Sequence, residues 1–131
     1  MRLLLDTHIV LWRLTNNPRL PKRGIEMMDD SATSIAVSAI SIWEVAIKWA
    51  RRKGRADDMP YSGYQLLRSL DRAMIDPLPV ESIHAAAVDD LPKLHGDPFD
   101  RFLIATARHE GMTLLTHDTQ IAEYGDCVIV V

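Results

Sequence analysis

The stretch HGDPFDRFLIATARHEGMTLLTHD, His95 to Asp118, contains a helix, a strand and, at the ends of these elements, three aspartates. Asp97 reads as a helix N-cap and Pro98 as the first helical residue, whose missing N–H costs nothing there. Asp100 falls at the third position, where a carboxylate favours the positive end of the helix dipole. The run FLIATA that follows is too continuously apolar for a helix with one wet face, so most of this helix must be covered. MTLLT is then a short apolar strand that ends in the polar turn THD. Capping alone accounts for Asp97 and Asp100. Whether they do more depends on which other carboxylates reach the same place.

Outward from this unit the pattern repeats. RLLLD opens the chain as a buried strand, and THIVLWRL is a short helix stopped by Asn16, Asn17 and Pro18. A second helix starts at Pro21, and TSIAVSA is a β-branched strand. In SIWEVAIKWARRKG, Ser41 and Glu44 have capping-box spacing, Glu44 and Lys48 sit one turn apart, and Gly54 ends the helix. GYQLLRSLDRA is a further helix. MIDPLPV is extended, with prolines that suggest an edge strand. VESIHAAAVDDLP is a helix starting at Glu81 or Ser82, TQIAEYG a short helix, and CVIVV the last strand. Strands that alternate with helices and read as unbroken apolar runs indicate an α/β fold: a mainly parallel sheet covered on both faces, a three-layer α/β/α sandwich. No repeat, low-complexity segment or linker divides the chain, so residues 1–131 read as a single domain.

That topology gathers the acids. Right-handed crossovers place strand C-termini and the following helix N-termini on one edge of a parallel sheet, where open α/β folds bind ligands. Asp6 ends the first strand, Glu44 comes about a turn after the second, Asp100 opens a helix, and Asp118 follows the strand LLT, the fourth if MIDPLPV is the third. Each has a simple reading as a cap. Together they are a crowd of carboxylates that raise one another's pKa unless a cation neutralises them. An oxygen set without a cysteine partner or a His-x-x-x-His pair favours Mg2+ or Mn2+, one or two ions, over zinc.

The chain has 131 residues, 47% of them hydrophobic, enough to bury roughly two thirds of its unfolded surface. Asp6, His8 and Arg13 interrupt the apolar opening, no stretch approaches a membrane span of about 20 apolar residues, and the one cysteine, Cys127, reads as packed. A cytoplasmic protein with no membrane contact is expected. The net charge of -3 does not announce a nucleic-acid binder, yet Lys48, Arg51, Arg52, Lys53 and Arg55 cluster in KWARRKGR. Of these, Arg51, Arg52, Lys53 and Arg55 are candidate RNA-phosphate contacts. The competing reading is a solvated helix end.

LLLDTH, AISIWEVAIK, DPFDRFLIATA and LLTHD stand in the order and spacing of a PIN domain nuclease, and the chain resembles the VapC-type toxins of toxin–antitoxin operons over essentially its whole length. The resemblance implies a metal-dependent endoribonuclease, a homodimer, an RNA substrate and inhibition by a cognate antitoxin protein. It places the catalytic and metal-binding acids at Asp6, Glu44, Asp100 and Asp118, with Thr116 supporting the last of them. Asp97 either caps the helix alone or also reaches the ion indirectly. No serine or cysteine nucleophile has a recognisable histidine and acid partner, so metal-activated water is the expected attacker, with His95 and His117 as secondary candidates for a base and His8 not catalytic. Trp12, Trp43 and Trp49 are more indoles than a small interior needs, which suggests interfaces for a second copy and for an antitoxin segment.

Three other readings compete, one of them a non-catalytic partner-binding domain whose acids are only structural caps. A dehalogenase-type phosphatase needs a second acid two residues after Asp6, where His8 stands. A receiver-like signalling module with a carboxylate metal site needs a phosphoacceptor at its third strand and a lysine after a late strand, and CVIVV supplies no such lysine.

Overall fold

The computed structural model describes residues 1–131. Its element order is β1 (Arg2–Leu5), α1 (Thr7–Leu14), α2 (Lys22–Asp29), β2 (Ser34–Ala36), α3 (Ala39–Ala50), α4 (Gly63–Arg72), α5 (Ser82–Ala87), α6 (Pro98–Glu110), β3 (Thr113–Thr116) and β4 (Val128–Val130). Short 3-10 helices cover Val88–Asp90 and Thr119–Tyr124. The four strands pair in the order β2-β1-β3-β4, all parallel, with Leu3 opposite Ile35 and Thr113, and Leu115 opposite Leu5 and Ile129.

The apolar run of β1 is continuous because both of its faces are covered. Leu3 and Leu5 point into a core shared with Ile9, Val10, Val45, Leu66 and Leu70, under α1, α3 and α4. Leu4 points to the opposite face, with Leu103, Ile104, Ala107 and Leu114, under α6. Alternation along a strand sends neighbours to opposite sides, so three consecutive leucines serve two cores. The result is the three-layer α/β/α arrangement. At 25 cal/mol per Å2, each fully buried leucine contributes about 2 kcal/mol.

Three local expectations are corrected. MIDPLPV does not form a sheet strand: its pairing is a single parallel bridge, Leu78 to Ser38. The pairing stops there because α3 begins at Ala39, and Pro77 and Pro79, on the outward side of Leu78, leave that edge without N–H groups for a further strand. Asp118 therefore follows the third strand of the chain. The helix carrying Glu44 starts a turn earlier than the capping-box spacing suggests. Ser38 is its cap, accepting the Ile40 N–H at 3.1 Å, which leaves Ser41 and Glu44 inside the helix and buried. The same helix closes at Ala50 with Arg51 as its C-cap, before Gly54. Cys127 is half-buried beside the core under α6, as expected for a packed thiol. No helix is long and apolar enough to cross a membrane.

Candidate active site

All four predicted acids lie in one cleft. It has a volume of about 390 Å3 and is lined by Asp6, Glu44, Asp97, Asp100 and Asp118, together with His8, His95, His117, Trp12 and Lys48. The cleft forms where β1 and β3, adjacent and parallel, both end. The N–H of Asp6 still donates to Leu115 O at 2.9 Å, so the first acid is fixed to the last rung of the sheet.

Asp6 caps α1 and is 4% exposed. One carboxylate oxygen accepts the Thr7 N–H at 2.7 Å, the other the Thr116 hydroxyl at 2.7 Å. Thr116 also accepts the Asp118 N–H at 3.0 Å, so one buried hydroxyl ties the first acid to the backbone of the last. Burial pushes the Asp6 carboxyl above its ordinary range and Glu44 adds to this, against the opposing bond from Thr116.

Glu44 is also 4% exposed. Its two oxygens accept from the Thr7 hydroxyl at 2.6 Å and from the Lys48 ammonium at 2.7 Å. Thr7 has a single hydroxyl proton, and a carboxylate can only accept. The Ser41 hydroxyl, 2.9 Å from Thr7 Oγ1, therefore serves as donor to Thr7. A chain of hydroxyls from α3 through α1 thus orients the glutamate.

Asp100 stands in the first turn of α6, behind the Asp97 cap. Asp97 accepts the N–H groups of Phe99 at 2.8 Å and Asp100 at 3.2 Å. His95 Nε2 is 2.8 Å from Asp100 Oδ2. Burial raises the Asp100 carboxyl to about 6, with the charges of Asp6 and Asp97 adding to the shift and His95 opposing it. Arg101, beside it, holds the preceding loop by donating to Pro92 O at 3.0 Å. Asp118 is half-buried and caps the last 3-10 helix through Oδ1, which accepts from the Gln120 N–H at 2.9 Å. Ligand atoms of His95, Asp100 and Asp118 all lie within 4.8 Å of one another.

This donor set fits a hard divalent cation. Five carboxylates meet one lysine, two of the five are held above their ordinary pKa, and oxygens of Asp100 and Asp118 have no protein donor. His95 adds a ring nitrogen within 4.8 Å of the Asp100 and Asp118 ligand atoms, a donor that Mn2+ accepts more readily than Mg2+ does.

The basic run divides. Arg51 lines a larger cavity of about 830 Å3 that adjoins the cleft. Arg52 turns away, its guanidinium 3.7 Å above the Trp49 ring. Lys53 and Arg55 are exposed and line neither cavity. Their backbone N–H groups each donate to Asp58 at 2.8 Å, and those bonds hold its carboxyl below the usual range. Of the three tryptophans, Trp43 is 59% exposed and meets Phe99 edge-on, while Trp12 and Trp49 are half-buried. Sequence reasoning missed Thr7 and Ser41 as supports of Glu44 and took Lys48 for an ordinary helix pair. Only Lys48 left a local signal, its spacing of one turn from Glu44.

A parallel sheet with an acidic cleft at the carboxyl ends of its strands defines a class, and comparison with known proteins identifies it. The PIN domain profile matches residues 3–126, and the chain belongs to the PIN domain family. Within that family it is similar to the VapC ribonucleases. Ribonuclease VapC22 of Mycobacterium tuberculosis (strain ATCC 25618 / H37Rv) is 31% identical over 124 residues, covering 92% of this chain and 90% of the relative. Among solved structures, VapBC2 from Rickettsia felis, bound to a promoter DNA fragment, superposes with a TM-score of 0.68 at 17% identity, covering 100% of this chain and 98% of that one. FitAcB from Neisseria gonorrhoeae superposes with a TM-score of 0.66 at 20% identity, covering 98% and 96%. At these identities the superpositions bear on the fold alone.

Proposed function

We propose that this chain is the ribonuclease toxin of a toxin–antitoxin pair, a metal-dependent endoribonuclease. The observation that carries the reading is the meeting of Asp6, Glu44, Asp100 and Asp118 in one cleft at the end of β1 and β3. Kinship with a relative named as a ribonuclease supports it, and the fold is shared with solved structures that include a toxin–antitoxin complex. Residues 1–131 then form one PIN domain.

The four acids would hold Mg2+ or Mn2+, one or two ions, with Asp6 as the central ligand. A bound divalent ion lowers the pKa of water and offsets charge on a phosphodiester. The chain's own contribution is placement. Thr116 and the Thr7 N–H fix Asp6, Thr7 and Lys48 fix Glu44, and the Asp97 cap fixes the turn carrying Asp100. In this reading Asp97 acts on the ion only through that turn. His95, bonded to Asp100, and His117 remain at the cleft wall, where either is able to accept a proton. Arg51 faces the substrate side and leads the basic run in holding RNA phosphates. The exposed indole of Trp43, backed by Phe99, is the surface offered to a second copy or to an antitoxin segment, with an antitoxin basic residue competing for the carboxylate cleft.

The test is cleavage of labelled single-stranded RNA by the purified protein. Activity is expected with Mg2+ or Mn2+, absent in EDTA, and lost in Asp6→Asn and Glu44→Gln while both variants remain folded. Induced expression should arrest growth, and co-expression of the adjacent gene should relieve the arrest. Cleavage that persists in EDTA would refute the metal assignment. Folded protein that cuts no RNA with either ion would refute the enzyme.

A further inference from the structure

The acidic cleft continues into a second cavity. His8, Trp12 and Lys48 line both the cleft and the adjoining space of about 830 Å3, so the two form one trough, acidic at one end and of mixed charge at the other. The carboxylates occupy one end. Arg19 and Arg51 stand at the other, and neither is among the residues in ion pairs. Asp57 and Asp58 also border this end and offset the arginines' formal charge, with the Asp58 carboxylate turned to the backbone N–H groups of Lys53 and Arg55.

Trp12 sits at the junction. It is half-buried, with part of its ring against the core that contains Leu11 and Leu20. His117 meets the ring edge-on at 5.2 Å, and His8, one helical turn earlier, lies 6.0 Å away. Its indole N–H has no partner in the protein and is not buried, so it opens to solvent. An indole face flanked by two imidazoles, between a phosphate-cutting cleft and free guanidinium groups, matches what a single-stranded nucleic acid presents: a splayed base between two phosphates.

We propose that Trp12, flanked by His8 and His117, is the stacking platform for a base next to the scissile bond of single-stranded RNA, whose backbone then runs along Arg51 and Arg19. The proposal rests on the ribonuclease reading above. It adds a residue that positions substrate, and it gives the trough a direction. Because every base has a π face, the platform orders the strand without selecting sequence, and it excludes a duplex, whose bases are stacked on each other.

The experiment measures binding in EDTA, where the probe survives, by fluorescence anisotropy at low salt. The probes are a labelled oligoadenylate and a ribose-phosphate chain of equal length without bases. Intact protein is expected to prefer the oligoadenylate. Trp12→Leu, which keeps apolar bulk against the core, should weaken oligoadenylate binding about 5- to 100-fold, the effect of one lost base stack, and bring the two probes level. Trp12→Phe should keep most of the preference, and Arg51→Ala should weaken both probes by the same factor. A base preference that survives in Trp12→Leu, or is missing from the intact protein, overturns the platform. Cleavage assays on the same proteins separate the two ideas. Metal-dependent cleavage together with a surviving preference sinks the platform alone, whereas a preference abolished by Trp12→Leu in a protein that cuts no RNA sinks the ribonuclease reading.

Discussion

Replacing Asp100 by asparagine should stabilise the metal-free protein and weaken its hold on metal, and the size of the first effect follows from the cleft. The Asp100 side chain is 17% exposed and its carboxyl is raised from 3.8 to about 6 by burial, then by Asp6 and Asp97. Such a rise is equivalent to about 3 kcal/mol against the ionised form, and solvent at the cleft mouth screens part of it, leaving roughly 1–2 kcal/mol. Asparagine keeps an oxygen able to accept from His95 and carries no charge. A raised carboxyl contributes stability that is complete below pH 3.8 and is lost as pH rises through about 6. The variant's advantage should therefore be absent near pH 4, open between about pH 4 and 6, and hold constant above. At pH 7.5 in EDTA it corresponds to a melting temperature about 3–10 °C higher for a chain of this size. Adding Mn2+ should reverse the order, because the wild type gains stability by binding the ion and the variant gains less. Scanning calorimetry across pH, with and without Mn2+, is the measurement. A variant that melts no higher than wild type at pH 7.5 in EDTA, or one whose advantage persists at pH 4, would refute the charge-crowding argument.

Thr116→Val should remove a donor from Asp6 and an acceptor from the Asp118 N–H in a buried place, costing roughly 1–3 kcal/mol by urea denaturation. It should also reduce metal affinity in a titration, and unchanged stability would remove Thr116 from the support of the site. Arg51→Ala should lower the slope of log affinity for RNA against log salt by about 1, while Arg52→Ala leaves it unchanged because that guanidinium is engaged with Trp49. Equal slopes for the two variants would return the whole run to the status of a solvated helix end.

The sequence by itself determined the fold class and the gathering of four acids at one edge of the sheet, for a local reason. A leucine run that alternates between two buried faces, a Pro98 at a helix start and a carboxylate after an apolar strand are short-range patterns. Once the strands read as parallel, the handedness of crossovers brought their ends together without coordinates. Where local pattern was ambiguous it misled. Ser41 and Glu44 have the spacing of a capping box, but Ser38 reaches the cap first, and the start of α3 at Ala39 reduced an expected strand to one bridge at Leu78. Tertiary structure alone decided what holds the acids and what surrounds them. Thr7 is bonded to Glu44 across 37 positions of chain and Thr116 to Asp6 across 110. The joining of Trp12, Lys48 and Arg51 into one trough beside the cleft has no periodicity to announce it. Spacing along a chain reports neighbours within a turn or a strand, whereas a hydroxyl that orients a carboxylate is chosen by the packing of one layer on another. That choice is made only when the layers meet.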